Sequence, residues 1–150
     1  MFPMNVKASE QIAVLGTVNP SSQAAGAAVS GWISVLQFQK FLALIMVGAI
    51  GASGTVDAKI QQAQDASGTA AKDVTGKAIT QLAAAGGGNV QVAINLDVQE
   101  LDTNNGFAYI QLSVTTAVAA SLTAAMVLGF NPRFAPASDF NAATVPQIVG

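Results

Sequence analysis

The chain contains neither cysteine nor histidine, and few of its residues carry charge. Without cysteine there is no disulfide framework, no thiolate metal site and no cysteine nucleophile. Without histidine, the commonest general base, the commonest transition-metal ligand and any Ser-His-Asp triad are gone. Charged residues make up 9% of the sequence, against about 25% in an ordinary soluble domain. Six basic and eight acidic residues leave a net charge of −2, which supplies no electrostatic footprint for nucleic acid or an anionic membrane. Membrane-spanning runs are also missing. Residues 41–56 (FLALIMVGAIGASGTV) are uncharged but fall short of the ~20 apolar residues that a helical span requires. Residues 106–132 are uncharged over a greater length, yet Gln111, Ser113, Thr115, Thr116, Ser121 and Thr123 interrupt them, and two alternating strands fit the stretch better. The opening MFPMNVKASEQ lacks the apolar core of a signal peptide. These absences predict a soluble protein with no membrane partner, no direct nucleic-acid partner and no cofactor.

What is present is 51% hydrophobic, much of it alanine, with many Ser, Thr, Gln and Asn residues. A chain of 150 residues is expected to form one domain spanning 1–150 and to bury ~70% of the surface its unfolded form exposes. A free monomer usually keeps a quarter or more of its surface charged. So weakly charged a surface suits a protein packed against neighbours, although an alanine-rich soluble domain has the same composition.

The organising stretch is residues 90–116, VQVAINLDVQELDTNNGFAYIQLSVTT. Val90, Val92, Ile94, Leu96 and Val98 alternate with Gln91, Asn95, Asp97 and Gln99, and Ala108, Ile110, Leu112 and Val114 alternate with Phe107, Tyr109, Gln111 and Ser113. A period of two is the strand period, so the stretch reads as two strands forming a hairpin or a corner of a sandwich. Further strands are expected at residues 11–18, 32–38, 41–50, 55–64 and 122–130. The 41–50 run is apolar enough for a strand buried on both faces. Asn19-Pro20-Ser21-Ser22 reads as a turn, residues 23–30 as a weak short helix, and residues 71–83 as helix or strand with Gly76 against helix. Asp57 and Lys59 are placed to pair on the wet side of one strand. The sum is an all-β protein, an antiparallel β-sandwich of about eight strands, with a jelly roll as one form of it and a distorted barrel as the alternative. The core runs from about residue 10 to 130, between extended arms at 1–9 and 131–150, the second broken by Pro132, Pro136 and Pro146.

No catalytic signature emerges. Asp97, Glu100 and Asp102 are the densest acids, but Asn104, Asn105 and Gly106 beside them mark a solvated turn rather than a calcium loop. Gly76-Lys77 lacks the second glycine and the hydroxyl residue of a phosphate loop, and Gly86-Gly87-Gly88 lacks dinucleotide-binding spacing. Trp32 reads as core, and Phe107 and Tyr109 as surface aromatics. None of the eight carboxylates is marked out as an acid–base pair, so no enzymatic activity is expected.

The succession TVDAKIQQAQDASGTAAKDVTGKAITQL, VAINLDVQELDTNNGFAYIQLSVTT and AAMVLGFNPRFAP, within residues 31–137, resembles small virion structural proteins of tailed bacteriophages and prophages. It is most like the capsid decoration, or cement, proteins, although it does not match the short, loop-rich lambda-type pattern. The resemblance implies a protein on the capsid exterior, made in the host cytoplasm, that bridges subunits of the major capsid protein and associates with itself as a homotrimer. Contacts are then expected from the two arms, at Phe2, Pro3, Met4, Arg133, Phe134, Phe140, Val145, Ile148 and Val149. A tail or head–tail connector subunit and a carbohydrate-binding host-attachment module, with an exposed aromatic near Tyr109, are the alternatives.

Overall fold

A computed structural model describes residues 4–150. Their strands are β1 (Ile12–Gln23), β2 (Gly26–Val29), β3 (Ile33–Ser34), β4 (Phe38–Ile50), β5 (Thr55–Ala63), β6 (Lys72–Ala78), β7 (Leu82–Ala83), β8 (Val90–Asp97), β9 (Tyr109–Ala117) and β10 (Ser121–Pro132). A single-turn helix, α1 (Ala8–Gln11), precedes β1, and 3-10 turns occupy Val98–Glu100, Thr103–Asn105 and Ala137–Phe140. No helix among the described residues is long and apolar enough to cross a membrane.

The strands form two antiparallel sheets, one in the order β1-β10-β4-β8 and the other in the order β2-β9-β5-β6, with β3 and β7 as short additions to β9 and β5. Leaving out those two-residue pieces, the first strand pairs with the last, the second with the seventh, the third with the sixth and the fourth with the fifth. Such nesting is one long antiparallel hairpin rolled into two sheets, which is the jelly roll. The expected antiparallel sandwich is therefore present, in its jelly-roll form.

Alternation puts one side of each strand into the space between the sheets. Phe41, Ala43, Ile45 and Val47 of β4 meet Ile60 of β5 and Ile110, Leu112 and Val114 of β9 in one buried cluster. Each large side chain buried this fully contributes ~1.5–3 kcal/mol relative to an exposed one. Packing leaves no room for a side chain at Gly129, where a Cβ would lie 2.7 Å from both Leu15 Cδ1 and Phe38 Cγ. Gln23 ties the sheets together where the chain crosses between them: its side-chain amide donates to the Val114 carbonyl at 3.0 Å, and its Oε1 accepts from the Thr123 hydroxyl at 2.8 Å.

Several local expectations change. Asn19 to Ser22 do not turn; β1 runs through them, with its register slipping between Val18 and Ser21. Pro20 is tolerated because β1 is an edge strand and a bulge needs no ladder donor there. Within residues 23–30, Gly26–Val29 form β2 rather than a helix, and of the 32–38 alternation Ile33–Ser34 pair as a short strand while Phe38 opens β4. Residues 71–83 resolve to β6 and β7. Residues 90–116 are a corner: β8 lies in one sheet and β9 in the other. The connection is pinned to β5 by the Asp102 N–H donating to Gln62 Oε1 at 2.9 Å and by the Ala108 N–H donating to the Ala63 carbonyl.

Candidate interaction surface

Lysines answer the acidic residues of the corner one by one. Lys40 pairs with Asp97 at 2.8 Å, Lys77 with Glu100 at 2.8 Å, and Lys72 with Asp102. Lys59 pairs with Asp73 rather than with Asp57, which instead accepts a hydrogen bond from the Gln81 amide. The Lys77 ammonium and the Asp97 backbone N–H hold the Glu100 carboxyl below its ordinary range, and Lys72 and Asn105 do the same for Asp102. Lys59 and Gln61 lower Asp73, and Asp65 is lowered by the Thr69 hydroxyl together with the backbone N–H groups of Thr69 and Ser67. General acid catalysis needs a carboxyl raised toward neutral pH; these four are pushed the other way. Among the described residues, no three or more acids gather where a metal ion could be held. The Asp65 loop is an Asx turn closed on its own backbone, since Asp65 Oδ1 accepts from Ser67 N–H at 2.8 Å and Thr69 N–H at 3.2 Å.

The aromatic residues do not line up as a flat platform. Phe107, expected on the surface, is buried with the Lys72 ammonium 4.2 Å from its ring centre. Tyr109 is half-buried on β9, and Trp32 is half-buried with its indole against Gly68.

The two ends of the chain converge. Lys7, Ala8 and Ser9 line one shallow cleft together with Ile148, Val149 and Gly150. Phe2 and Pro3 lie outside the described residues. Met4 is fully exposed, Ile148 half-exposed, and Val149 84% exposed. Arg133 donates its backbone N–H to the Gln37 carbonyl at 2.8 Å and has no ion-pair partner among the described residues, and Phe134 beside it is 68% exposed. Phe140 differs: its ring packs edge-on against Phe38 at 5.7 Å, closing one end of the sandwich. Asn141 Oδ1 accepts the Val14 N–H at 2.8 Å, and the Ala142 N–H donates to the Val14 carbonyl at 2.7 Å. The C-terminal segment thus lies along the free edge of β1 and satisfies backbone groups that an edge strand would otherwise present to other chains. Val145, half-buried, donates its N–H back to Ala142. Residues 131–145 are therefore docked on their own sandwich, and the apolar side chains still open to solvent are Phe134, Ile148 and Val149, with Met4 from the other arm.

A surface that the sequence reading missed lies on the outside of the β1-β10-β4-β8 sheet. The 41–50 run is buried on one face only. Leu42, Leu44 and Met46 of β4 point outward, and the register sets them beside Leu128, Met126 and Ala124 of β10. Leu128 in turn is flanked by Val14 of β1, and Phe130 by Ile12. Met46 is 46% exposed and Leu122 is 49% exposed, while the side chains between them are partly so. A groove at this end is lined by Met46, Leu122 and Ala124 in the middle of the sheet, with Pro20 toward one edge and Asn89 and Gln91 toward the other. Two apolar phases in one strand were the available signal; alternation says which side a residue takes, not whether that side is covered.

No family model matches the chain, and no curated protein matches it. Among solved structures it is similar to a chain of the naturally occurring empty particles of Cowpea mosaic virus (11% identity, 85% of this chain and 86% of that one, TM-score 0.45). It is also similar to a chain of the Triatoma virus empty capsid (11% identity, 81% and 88%, TM-score 0.44). A third is the CBM22-1 xylan-binding domain from Paenibacillus barcinonensis Xyn10C (12% identity, 79% and 81%, TM-score 0.40). At such identities and TM-scores these likenesses define neither family nor function. The strand order on its own defines the fold.

Proposed function

We propose that this chain is a structural subunit of a virus particle, a decoration protein that sits on the capsid exterior and bridges major capsid subunits. The observation that carries the reading is the meeting of the two chain ends, with Ile148 and Val149 in solvent there and Met4 exposed in the N-terminal arm, on a protein only 9% of whose residues are charged. Large apolar side chains of this kind are contact residues awaiting a surface. Lysine-neutralised carboxylates and the lack of His and Cys support a mechanical rather than an enzymatic role. The rigid sandwich bears load, the exposed ends reach the shell, and self-association, in a homotrimer, multiplies weak contacts by avidity.

The test removes the exposed ends and the exposed Phe134 ring and leaves the buried contacts of the docked segment alone. Chains lacking residues 1–6 or 146–150, and a Phe134→Ser variant, are added to undecorated particles, and occupancy is measured. Reduced occupancy in all three is expected. Wild-type occupancy in every one would overturn the proposal. Copy number separates decoration from the tail or connector alternative, since decoration requires copies comparable in number to the major capsid protein.

A further inference from the structure

We propose that the outer face of the β1-β10-β4-β8 sheet is the surface on which a second copy of this chain packs, sheet against sheet. The two outer faces of the sandwich differ in chemistry. Outside the other sheet, β5 presents Asp57, Lys59 and Gln61, and β9 presents Gln111 and Thr115, the ordinary dress of a solvated sheet. Outside the four-stranded sheet, the cross-strand rows read Val14, Leu128, Leu42, Asn95, then Thr17, Met126, Leu44, Ala93, then Ala124, Met46, Gln91. Charge enters only at one corner, where Lys40 and Asp97 neutralise each other at 2.8 Å. An apolar centre on β10 and β4 with a polar rim of Gln91 and Asn95 on β8 is the anatomy of a protein–protein interface.

Size and charge select the occupant. Four strands about 4.8 Å apart, each followed over the eight residues of β8 at about 3.3 Å rise, give a flat area of about 510 Å². Two copies face to face therefore bury about 1,000 Å², which reaches the size that a specific interface needs. A face without net charge has nothing to complement a charged partner, whereas an identical flat apolar stripe is supplied by every other copy. Two such sheets stack about 10 Å apart with their strands within about 30° of parallel. The inference does not depend on the capsid reading, because it concerns the chain in isolation and is a two-fold contact, separate from the three-fold contact of the proposed homotrimer.

Sedimentation of the full chain over a wide concentration series tests it. The wild type is expected to associate reversibly. Leu44→Lys and Met126→Lys, each placing a charge at the centre of the stripe, should weaken association at least tenfold, while Gln111→Lys on the other sheet leaves it unchanged. Circular dichroism and the unfolding midpoint verify folding. If either lysine variant fails to fold, a cysteine probe replaces it. The chain has no cysteine of its own, so Met126→Cys should cross-link between copies on mild oxidation and Gln111→Cys should not. A wild type that stays monomeric throughout overturns the proposal. So does association that ignores both lysine variants, or cross-linking equal at the two cysteine positions. A monomer whose stripe variants lose particle binding would reassign the face to a capsid partner.

Discussion

Phe140→Ala separates what is docked in the C-terminal segment from what is core. The Phe140 ring meets Phe38 edge-on at 5.7 Å and is half-buried at the end of the sandwich. An edge-to-face pair contributes ~0.5–1.5 kcal/mol beyond its area, and loss of the buried part of a phenylalanine adds ~1.5 kcal/mol or more. The sum, ~2–3 kcal/mol, acts on a segment held also by the Asn141 and Ala142 bonds to Val14 and by the buried Ala137. Opening of that segment should become about 30- to 150-fold more frequent. Amide exchange reads this directly, because the Val14 and Ala142 N–H groups are both consumed in the docked state. Their exchange should accelerate by that factor, while amides in the middle of β4 keep their protection. Equal loss of protection in β4 would show that the segment unfolds with the core, and no acceleration at Val14 would show that Phe140 does not hold the dock. Either result refutes the reasoning.

Other perturbations probe strain and charge. Val118, at φ +68° and 73% exposed in the turn between β9 and β10, is a β-branched residue in the left-handed region, which costs ~1–2 kcal/mol. Val118→Gly relieves this and returns ~0.5–1 kcal/mol of unfolded-state freedom, so the thermal midpoint should rise by about 2–3 °C; a fall would mean that the Val118 side chain makes contacts of its own. The lowered carboxyls of Glu100, Asp102, Asp73 and Asp65 have folded pKa values below their unfolded ones. Their contribution is complete above the ordinary carboxylate range and is lost as pH falls through the folded values. Lys77→Met should accordingly lower stability near neutral pH by ~0.2–1 kcal/mol, and denaturant titrations should show the gap closing well below about pH 4. A gap that persists undiminished in acid would contradict the assignment of Lys77 as the cause of the Glu100 shift.

The sandwich was legible because nearly every strand writes its buried face in alternate letters, and the corner at 98–108 was marked by its Asp and Asn residues. What alternation could not say is whether two successive strands pair with each other. β8 and β9 carry the same pattern a hairpin would, and long-range partners, β4 for β8 and β5 for β9 with the Gln62 anchor, fix them as a corner between sheets. Pro20 misled for a related reason, since turn chemistry and edge-strand chemistry use the same residues. The apolar outer face was hidden inside its own signal. The 41–50 run looked like a strand covered on both sides, and nothing local distinguishes a covering layer from a missing one. Of the arm residues, Phe140 was legible as apolar but not as a plug, because its partner Phe38 lies a hundred residues away in sequence.

The nesting of first strand with last also sets a clock. β1 has no strand neighbour in its sheet except β10, so during synthesis it waits for nearly the whole chain to follow it. At about 5–20 residues per second, the ~100 residues between them take on the order of 5–20 s, during which the β1-β10-β4-β8 sheet lacks its second member. A chain released early therefore presents no completed outer face and no β1 edge for residues 141–142 to seal. Completeness of the chain becomes a condition for acquiring the surfaces described above, and the order of strands itself keeps unfinished subunits out of any assembly those surfaces build.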